Sequence, residues 1–287
     1  MSNVSSNAAV AKRRGPSWLG GVLLTLISAI CAAVWFFPLY WALVTSFRHD
    51  DETVKSFGLI PENPTIDGYL YVIRNSNLPL WYLNSTITSV TITIVAVFMA
   101  ACAGYAISQL RFPGRQLLWW IILASFMIPV PALIVNHFVI IASVKLLNTY
   151  PGIILPMLVT PVTVIVYKQF FDSLPKEFRE AAVMDGANEF QLLLRVFLPM
   201  NWGITTALAI ITFIGAWNSF LWPFLAQQNE KMMTVTVGIV AVRDSFGVFY
   251  GRFMAGAVLA SLPVALAYLI FQKRVTQAIT LSAGIKG

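Results

Sequence analysis

Few side chains in this chain are of a type that does chemistry, and their spacing rules most chemistry out. Cys31, Cys102, His49 and His137 are the only thiol or imidazole side chains in 287 residues. The cysteine spacing suits no metal site, and a disulfide between them is not expected, since both fall inside long apolar runs. The two histidines fall near the ends of such runs and give a metal centre no support. No G-x-x-x-x-G-K-[ST] segment occurs, so the chain has no P-loop to cradle a nucleotide phosphate. Asp and Glu number twelve, and none lies at the middle of an apolar run, where a proton relay or an intramembrane base would need it. One stretch stands apart. Glu180 to Pro199, EAAVMDGANEFQLLLRVFLP, places Glu180, Asp185, Glu189 and Arg195 between two apolar segments. Its chemistry is charge pairing and close contact with another surface rather than bond making.

The elements that must hold this stretch are membrane spans. The chain is 58% hydrophobic and only 11% charged, whereas soluble domains run at about a quarter charged. Such a chain cannot cover itself with polar surface, and about 20 apolar residues suffice to cross the hydrocarbon core as a helix. Six runs qualify: Trp18–Phe47, Asn84–Leu110, Leu117–Asn136, Pro151–Phe171, Met200–Ala226 and Phe253–Phe271. The fourth is interrupted by Pro156 and Pro161. The expected fold is therefore an all-α integral membrane protein with six transmembrane helices. Residues 1–16 are expected to be a disordered polar terminus, 17–272 the six-helix domain with its charged loop at 172–199, and 273–287 a polar tail. The first run is too long for a signal peptide and lacks a small-residue cleavage site.

Six spans put both termini on one side, and Lys and Arg choose that side. With the N-terminus inside, the inner face nets +7 and the outer face nets zero. The overall +7 thus reads as membrane orientation rather than as a nucleic-acid footprint, and Lys168 to Arg195 falls in the cytoplasm. Tryptophans and tyrosines at the run ends, Trp18, Trp81, Trp202 and Trp222 among them, fit interfacial belts. Asn84-Ser85-Thr86 matches a glycosylation sequon but begins a span and reads as a helix start.

Within the loop, Pro175 suits the first turn of a helix and Glu177 favours that turn through the helix dipole. Gly186 can take a left-handed backbone and stop the helix. Asn188 then offers an N-cap, with Gln191 three residues on as in a capping box. Phe190, Leu193, Leu194 and Phe197 form the apolar stripe of a second short helix, and Pro199 can open the fifth span. The alternative, an amphipathic loop resting on lipid headgroups, would be more basic than this stretch.

Glu180-Ala181-Ala182, then Gly186, then Val196 and Leu198-Pro199 resemble the EAA motif of ATP-binding-cassette (ABC) importer permeases. The family pattern is E-A-A, three residues, G, nine residues, I, one residue, L-P, and this chain departs only in Val196 for Ile. Phe37-Pro38-Leu39-Tyr40-Trp41, Ala216-Trp217-Asn218-Ser219-Phe220 and the tail Leu281–Gly287 are similar to carbohydrate-uptake permeases of the MalG type. The resemblance implies a type I ABC importer permease fold in a bacterial or archaeal cytoplasmic membrane, with both termini cytoplasmic. It implies that Glu180, Ala181, Ala182, Asp185 and Gly186 form the coupling helix that docks on the ATP-binding subunit, and that Ala283, Gly284 and Lys286 in the tail touch that subunit. It also implies a dimer of ATP-binding subunits that hold ATP and Mg, a second and different permease, and an extracytoplasmic solute-binding protein that delivers a carbohydrate. No cofactor is expected on this chain. Sugar sites want aromatic faces beside hydrogen-bonding groups, which makes Trp217, Asn218, Ser219 and Asn136 candidates for the substrate path. For the span-five group, polar packing between helices stays open as the other reading. The rival function is an ion-coupled secondary transporter of a small polar solute. It is disfavoured because the six runs lack Asp, Glu, Lys and Arg between their ends, boundary residues such as Lys168 apart.

Overall fold

The computed structural model describes residues 18–51, 58–241 and 249–282, and its regular structure there is helical throughout. In chain order the helices are α1 (Trp18–Ser46), α2 (Asp67–Asn75), α3 (Leu78–Gln109), α4 (Arg115–Phe126), α5 (Ile134–Ser143), α6 (Tyr150–Ile154) and α7 (Pro161–Asp172). They continue as α8 (Lys176–Met184), α9 (Glu189–Leu192), α10 (Leu198–Met200), α11 (Trp202–Trp217), α12 (Leu221–Ala226), α13 (Val235–Ala241) and α14 (Tyr250–Ser282). Among the described residues, three helices are long and apolar enough to cross a membrane in one piece, over Gly20–Ser46, Leu78–Gln109 and Tyr250–Gln272. With each of three bent pairs taken as one crossing, the count reaches six.

The bends have identifiable causes. The expected span Leu117–Asn136 is not one helix: Arg115–Phe126 and Val130–Ser143 meet at 98°. Pro129 and Pro131 lack the N–H that would continue the ladder, and each disfavours helical backbone in the residue before it. Asn136 consequently lies in the second limb, in the first turn of α5. Tyr150–Met157 and Pro161–Asp172 meet at 49°, with Pro161 opening α7 where its missing N–H costs nothing. The straight part of the fifth crossing is α11, 16 residues long. It meets the Glu189–Met200 segment at 86°. Asn201 forms this corner, and its Nδ2 donates to the Phe197 carbonyl at 2.9 Å.

The second span starts at Leu78, six residues before its expected beginning. Asn84 is therefore not a cap but a fully buried residue within α3. Its Nδ2 donates to the carbonyls of Lys231 and Met233, both at 2.9 Å, and its Oδ1 accepts from the Tyr150 hydroxyl at 2.7 Å. Ser85 Oγ accepts from the Val235 backbone N–H at 2.8 Å. These bonds fasten the 227–235 connection to the end of α3 away from the charged insert, and they leave the sequon asparagine inaccessible. Trp81 and Trp222 sit inside the fold rather than in an interfacial belt. Their indole N–H groups donate to the carbonyls of Glu230 and Ile153.

α3 is the axis of the bundle. Its 32 residues run about 48 Å at 1.5 Å per residue, and it packs against α7 and α11. At Gly104 it comes so close to α7 that an added Cβ would sit 2.7 Å from Tyr167 Cβ and 3.1 Å from the Lys168 nitrogen. One core surrounds this contact, built from Ala101, Tyr105, Tyr167, Phe171, Leu192 and Phe197 among others. A second core lies towards the other end around Trp81, Trp217 and Val235. α1 packs against α14, but none of its most apolar window is buried within the chain.

Alanine is favoured over glycine by about 1 kcal/mol in a helix interior, whereas overpacking a tight contact costs about 1–3 kcal/mol. Gly104→Ala should therefore lower the thermal unfolding midpoint of the purified chain in detergent, followed by circular dichroism. Gly21→Ala in α1, where an added Cβ meets nothing within 4 Å, should leave the midpoint unchanged or raise it. An unchanged Gly104→Ala midpoint would contradict the close approach.

Candidate functional site

The charged insert is built by two local signals and one irregular turn. α8 begins after Pro175, which is the residue before the first turn rather than within it. The helix ends at Gly186, whose φ of +79° is the left-handed region. Gly186 N–H donates to the Val183 carbonyl at 2.9 Å and Ala187 N–H to the Ala182 carbonyl at 3.0 Å. This paired closure satisfies carbonyls that a helix end leaves open. Two residues on, Asn188 starts α9 with a reciprocal cap. Its Oδ1 accepts from Gln191 N–H, and its own N–H donates to Gln191 Oε1, both at 2.9 Å. The stop and the restart are those the sequence predicts.

The apolar stripe differs from expectation. Leu192, Leu193 and Phe197 are buried, whereas Phe190 is 58% and Leu194 40% exposed. The cause is a π-helical turn over Leu193–Phe197. Its wider winding shifts which side chains share a face, so a regular period of 3.6 residues picks the wrong ones. Pro199 follows directly. Its missing N–H would otherwise bond the Arg195 carbonyl in a regular α-helix.

Aromatic packing joins the insert to the bundle. Tyr105 stands edge-on to Phe197 at 5.1 Å and to Phe171 at 6.2 Å between ring centroids. Phe171 meets Phe197 at 5.5 Å, also edge-on. Such pairs are worth about 0.5–1.5 kcal/mol each beyond their area. The Tyr105 hydroxyl donates to Glu189 Oε2 at 2.5 Å, and Arg179 Nη2 meets Glu189 Oε1 at the same distance. At the end of α7, Lys168 pairs with Asp172 at 2.5 Å and lies over the Trp119 ring, while Ser108 donates to Asp172 at 2.6 Å.

α8 itself has no buried residue. Glu180, Ala181, Asp185 and Gly186 are exposed, and so are Phe178, Val183 and Met184. Ala182 alone of the E-A-A triplet turns inward, partly buried against the core around Tyr105. The five coupling candidates thus lie on one short helix and its stop, with small and acidic groups outward. Of the insert's carboxylates, Glu189 is engaged within the chain. The tail candidates Ala283, Gly284 and Lys286 lie outside the described residues.

The substrate-path candidates sit in different surroundings. Trp217 is 3% exposed, donates from Nε1 to the Ala260 carbonyl at 3.2 Å, and packs against Tyr82 and Phe213. Its ring face is occupied, so it joins α11 to α14 instead of offering a stacking platform. Asn218 is exposed just past the end of α11, and Ser219 is half-buried with its carbonyl accepting from Thr236 Oγ1 at 2.9 Å. Asn136 is exposed on α5. Sequence reasoning missed the roles of Tyr105, Glu189 and Asn84. A polar residue at each end of one long apolar run was the only available signal.

Residues 93–281 match the family model described as binding-protein-dependent transport system inner membrane component. The arabinooligosaccharides transport system permease protein AraQ of Halalkalibacterium halodurans is 30% identical over 275 residues, covering 94% of this chain and 97% of the relative. The diacetylchitobiose uptake system permease protein NgcG of Streptomyces coelicolor is 32% identical, covering 96% and 91% respectively. A crystal structure of a bacterial ABC transporter that imports the acidic polysaccharide alginate contains a chain of the same fold. That match has a TM-score of 0.81 at 20% identity and covers 89% of this chain and 96% of the other.

Helix capping by Asn188 contributes about 1 kcal/mol, and a side chain at the left-handed Gly186 costs about 1–2 kcal/mol even in open space. Asn188→Ala and Gly186→Ala are expected to speed amide hydrogen exchange across residues 176–192 by about fivefold to thirtyfold while leaving α3 unchanged. Equal exchange in the variants and the parent would remove the caps as the cause of the insert's order.

Proposed function

The chain belongs to the family of binding-protein-dependent transport system inner membrane components, and on that premise we propose how its parts serve import. It is a permease subunit of an ABC importer of sugars, a transport subunit whose ATPase resides on separate polypeptides. One observation carries the assignment of parts. A helix with no buried residue, stopped at Gly186 and presenting Glu180 and Asp185 beside Phe178, Val183 and Met184, projects from an otherwise apolar chain. Such a helix suits a groove on another subunit. Glu180, Ala181, Ala182, Asp185 and Gly186 form its docking surface, with Ala181 permitting close approach and the carboxylates meeting basic groups. ATP and Mg bind on the partner subunits. The insert end faces the cytoplasm along with both termini, and Ala283, Gly284 and Lys286 meet the same ATPase.

Closure of the ATPase pair would displace α8 and tilt the crossings joined to it, so that a path between two permeases alternates its access. A bundle of this size needs a second, different permease to enclose that path, and a solute-binding protein delivers cargo at the opposite end. The names of the relatives, an arabinooligosaccharide permease and a diacetylchitobiose permease, support a sugar or glycoside as cargo. Asn136, Asn218 and Ser219 are the polar groups assigned to the path, and Trp217 is assigned to holding α11 against α14.

The deciding experiment is purification of the tagged chain from native membranes in mild detergent, with mass spectrometry of what accompanies it. An ATPase and a second permease are expected; recovery of the chain alone, with no ATPase cross-linked near Glu180, would overturn the reading. Placing like charges opposite each other costs several kcal/mol, so Glu180→Arg should cut the ATPase recovered by about tenfold or more. Truncating a buried Trp costs about 3–5 kcal/mol. Trp217→Ala should accordingly lower the yield of folded chain, whereas Asn218→Ala should keep the yield and reduce sugar uptake. The reverse pattern would exchange their roles.

A further inference from the structure

The Glu189 carboxylate uses its two oxygens in two directions. Oε1 pairs with Arg179 on α8, and Oε2 accepts from Tyr105 on α3. Tyr105 is itself held, 4% exposed and edge-on to Phe171 and Phe197. Arg179 lies one residue before Glu180, in the middle of the docking helix.

The rest of α8 is weakly held. It buries no residue, and the alanines that touch the core, Ala182 and Ala187, offer little area. The joint at Gly186, with φ of +79° and open space around it, is closed only by short-range bonds from Gly186 N–H to Val183 and Ala187 N–H to Ala182, and it is the pivot between α8 and α9. A helix attached through such a pivot would turn on it under load and transmit little to the bundle. We propose that Glu189 is the positioning residue that locks this pivot, so that α8 and α3 move together through the bridge Arg179–Glu189–Tyr105. The proposal rests on the reading of α8 as the ATPase-docking helix. An isolated exposed ion pair contributes little. Here the second oxygen is anchored on a buried hydroxyl, and the bridge joins residues 84 positions apart.

The test is the distance between spin labels at Lys176→Cys on α8 and Arg111→Cys beyond α3, both exposed positions, in a Cys31→Ala, Cys102→Ala background. The tagged chain is purified with whatever accompanies it from native membranes, and distances are read by pulsed electron paramagnetic resonance. The parent should give one narrow distribution. Tyr105→Phe, which removes a single oxygen, and Glu189→Ala should each widen it about twofold. The exchanged pair Arg179→Glu with Glu189→Arg should narrow it again, since the Tyr105 hydroxyl can accept from a guanidinium as well as donate to a carboxylate. A merely structural contribution would not be restored by the exchange. Unchanged widths in Tyr105→Phe and Glu189→Ala would overturn the proposal, as would failure of the exchange to restore the parent width. If Glu189→Ala does not fold, Tyr105→Phe decides. Absence of an ATPase from the parent preparation would strike at the docking reading alone, because the label widths are measured on the chain itself.

Discussion

The approach of α3 to α7 at Gly104 sets the geometry of everything at the insert end. With no side chain at that position, Tyr167 lies against the α3 backbone, and the very next residue of α3, Tyr105, faces Phe171 and Phe197. Those rings in turn fix the segment that carries Glu189, and Glu189 fixes α8. Each step depends on the one before it. Between helices in lipid, van der Waals packing replaces the hydrophobic effect as the attractive force, and a small residue such as Gly104 lets two backbones reach it.

α3 also has a polar grip at its other end. Asn84 and Ser85 bind the 227–235 connection there, and Tyr105 binds the insert here. Between them lies one unbroken helix, while three of the remaining crossings are bent. The design places continuity at the centre of the bundle and breaks around it. A rigid central element with jointed neighbours suits a molecule that switches between two packings.

Composition made the membrane class legible, and local chemistry made the insert legible. Gly186, Asn188 and Gln191 act through bonds to residues at most five positions away, so their effect can be read from the sequence alone. The apolar runs were found for the same reason, since hydropathy is a local sum. What escaped depends on distance. The burial of Trp217 and the engagement of Asn84 are set by chain segments 43 and nearly 150 residues away. The π-helical turn before Pro199 escaped because it leaves no mark on apolar periodicity except to spoil it. The breaks at Pro129 and Pro161 fell between these cases. Proline announces a weak point, but whether a membrane helix kinks gently or turns by 98° depends on what packs beside it.

The sharpest of those breaks is constrained by where lipid can be. α4 has 12 residues and so rises about 18 Å, short of a hydrocarbon core about 30 Å thick. Its end, with Met127 83% and Val130 73% exposed, therefore falls within the depth of the bilayer. The break closes part of its backbone locally: Met127 and Ile128 N–H donate to the Ala124 and Ser125 carbonyls, and Ala132 N–H donates to the Pro129 carbonyl. The turn at 127–133 thus presents Met127, Ile128 and Val130 outward while the N–H groups of Met127, Ile128 and Ala132 stay bonded within the chain, as a break at hydrocarbon depth requires.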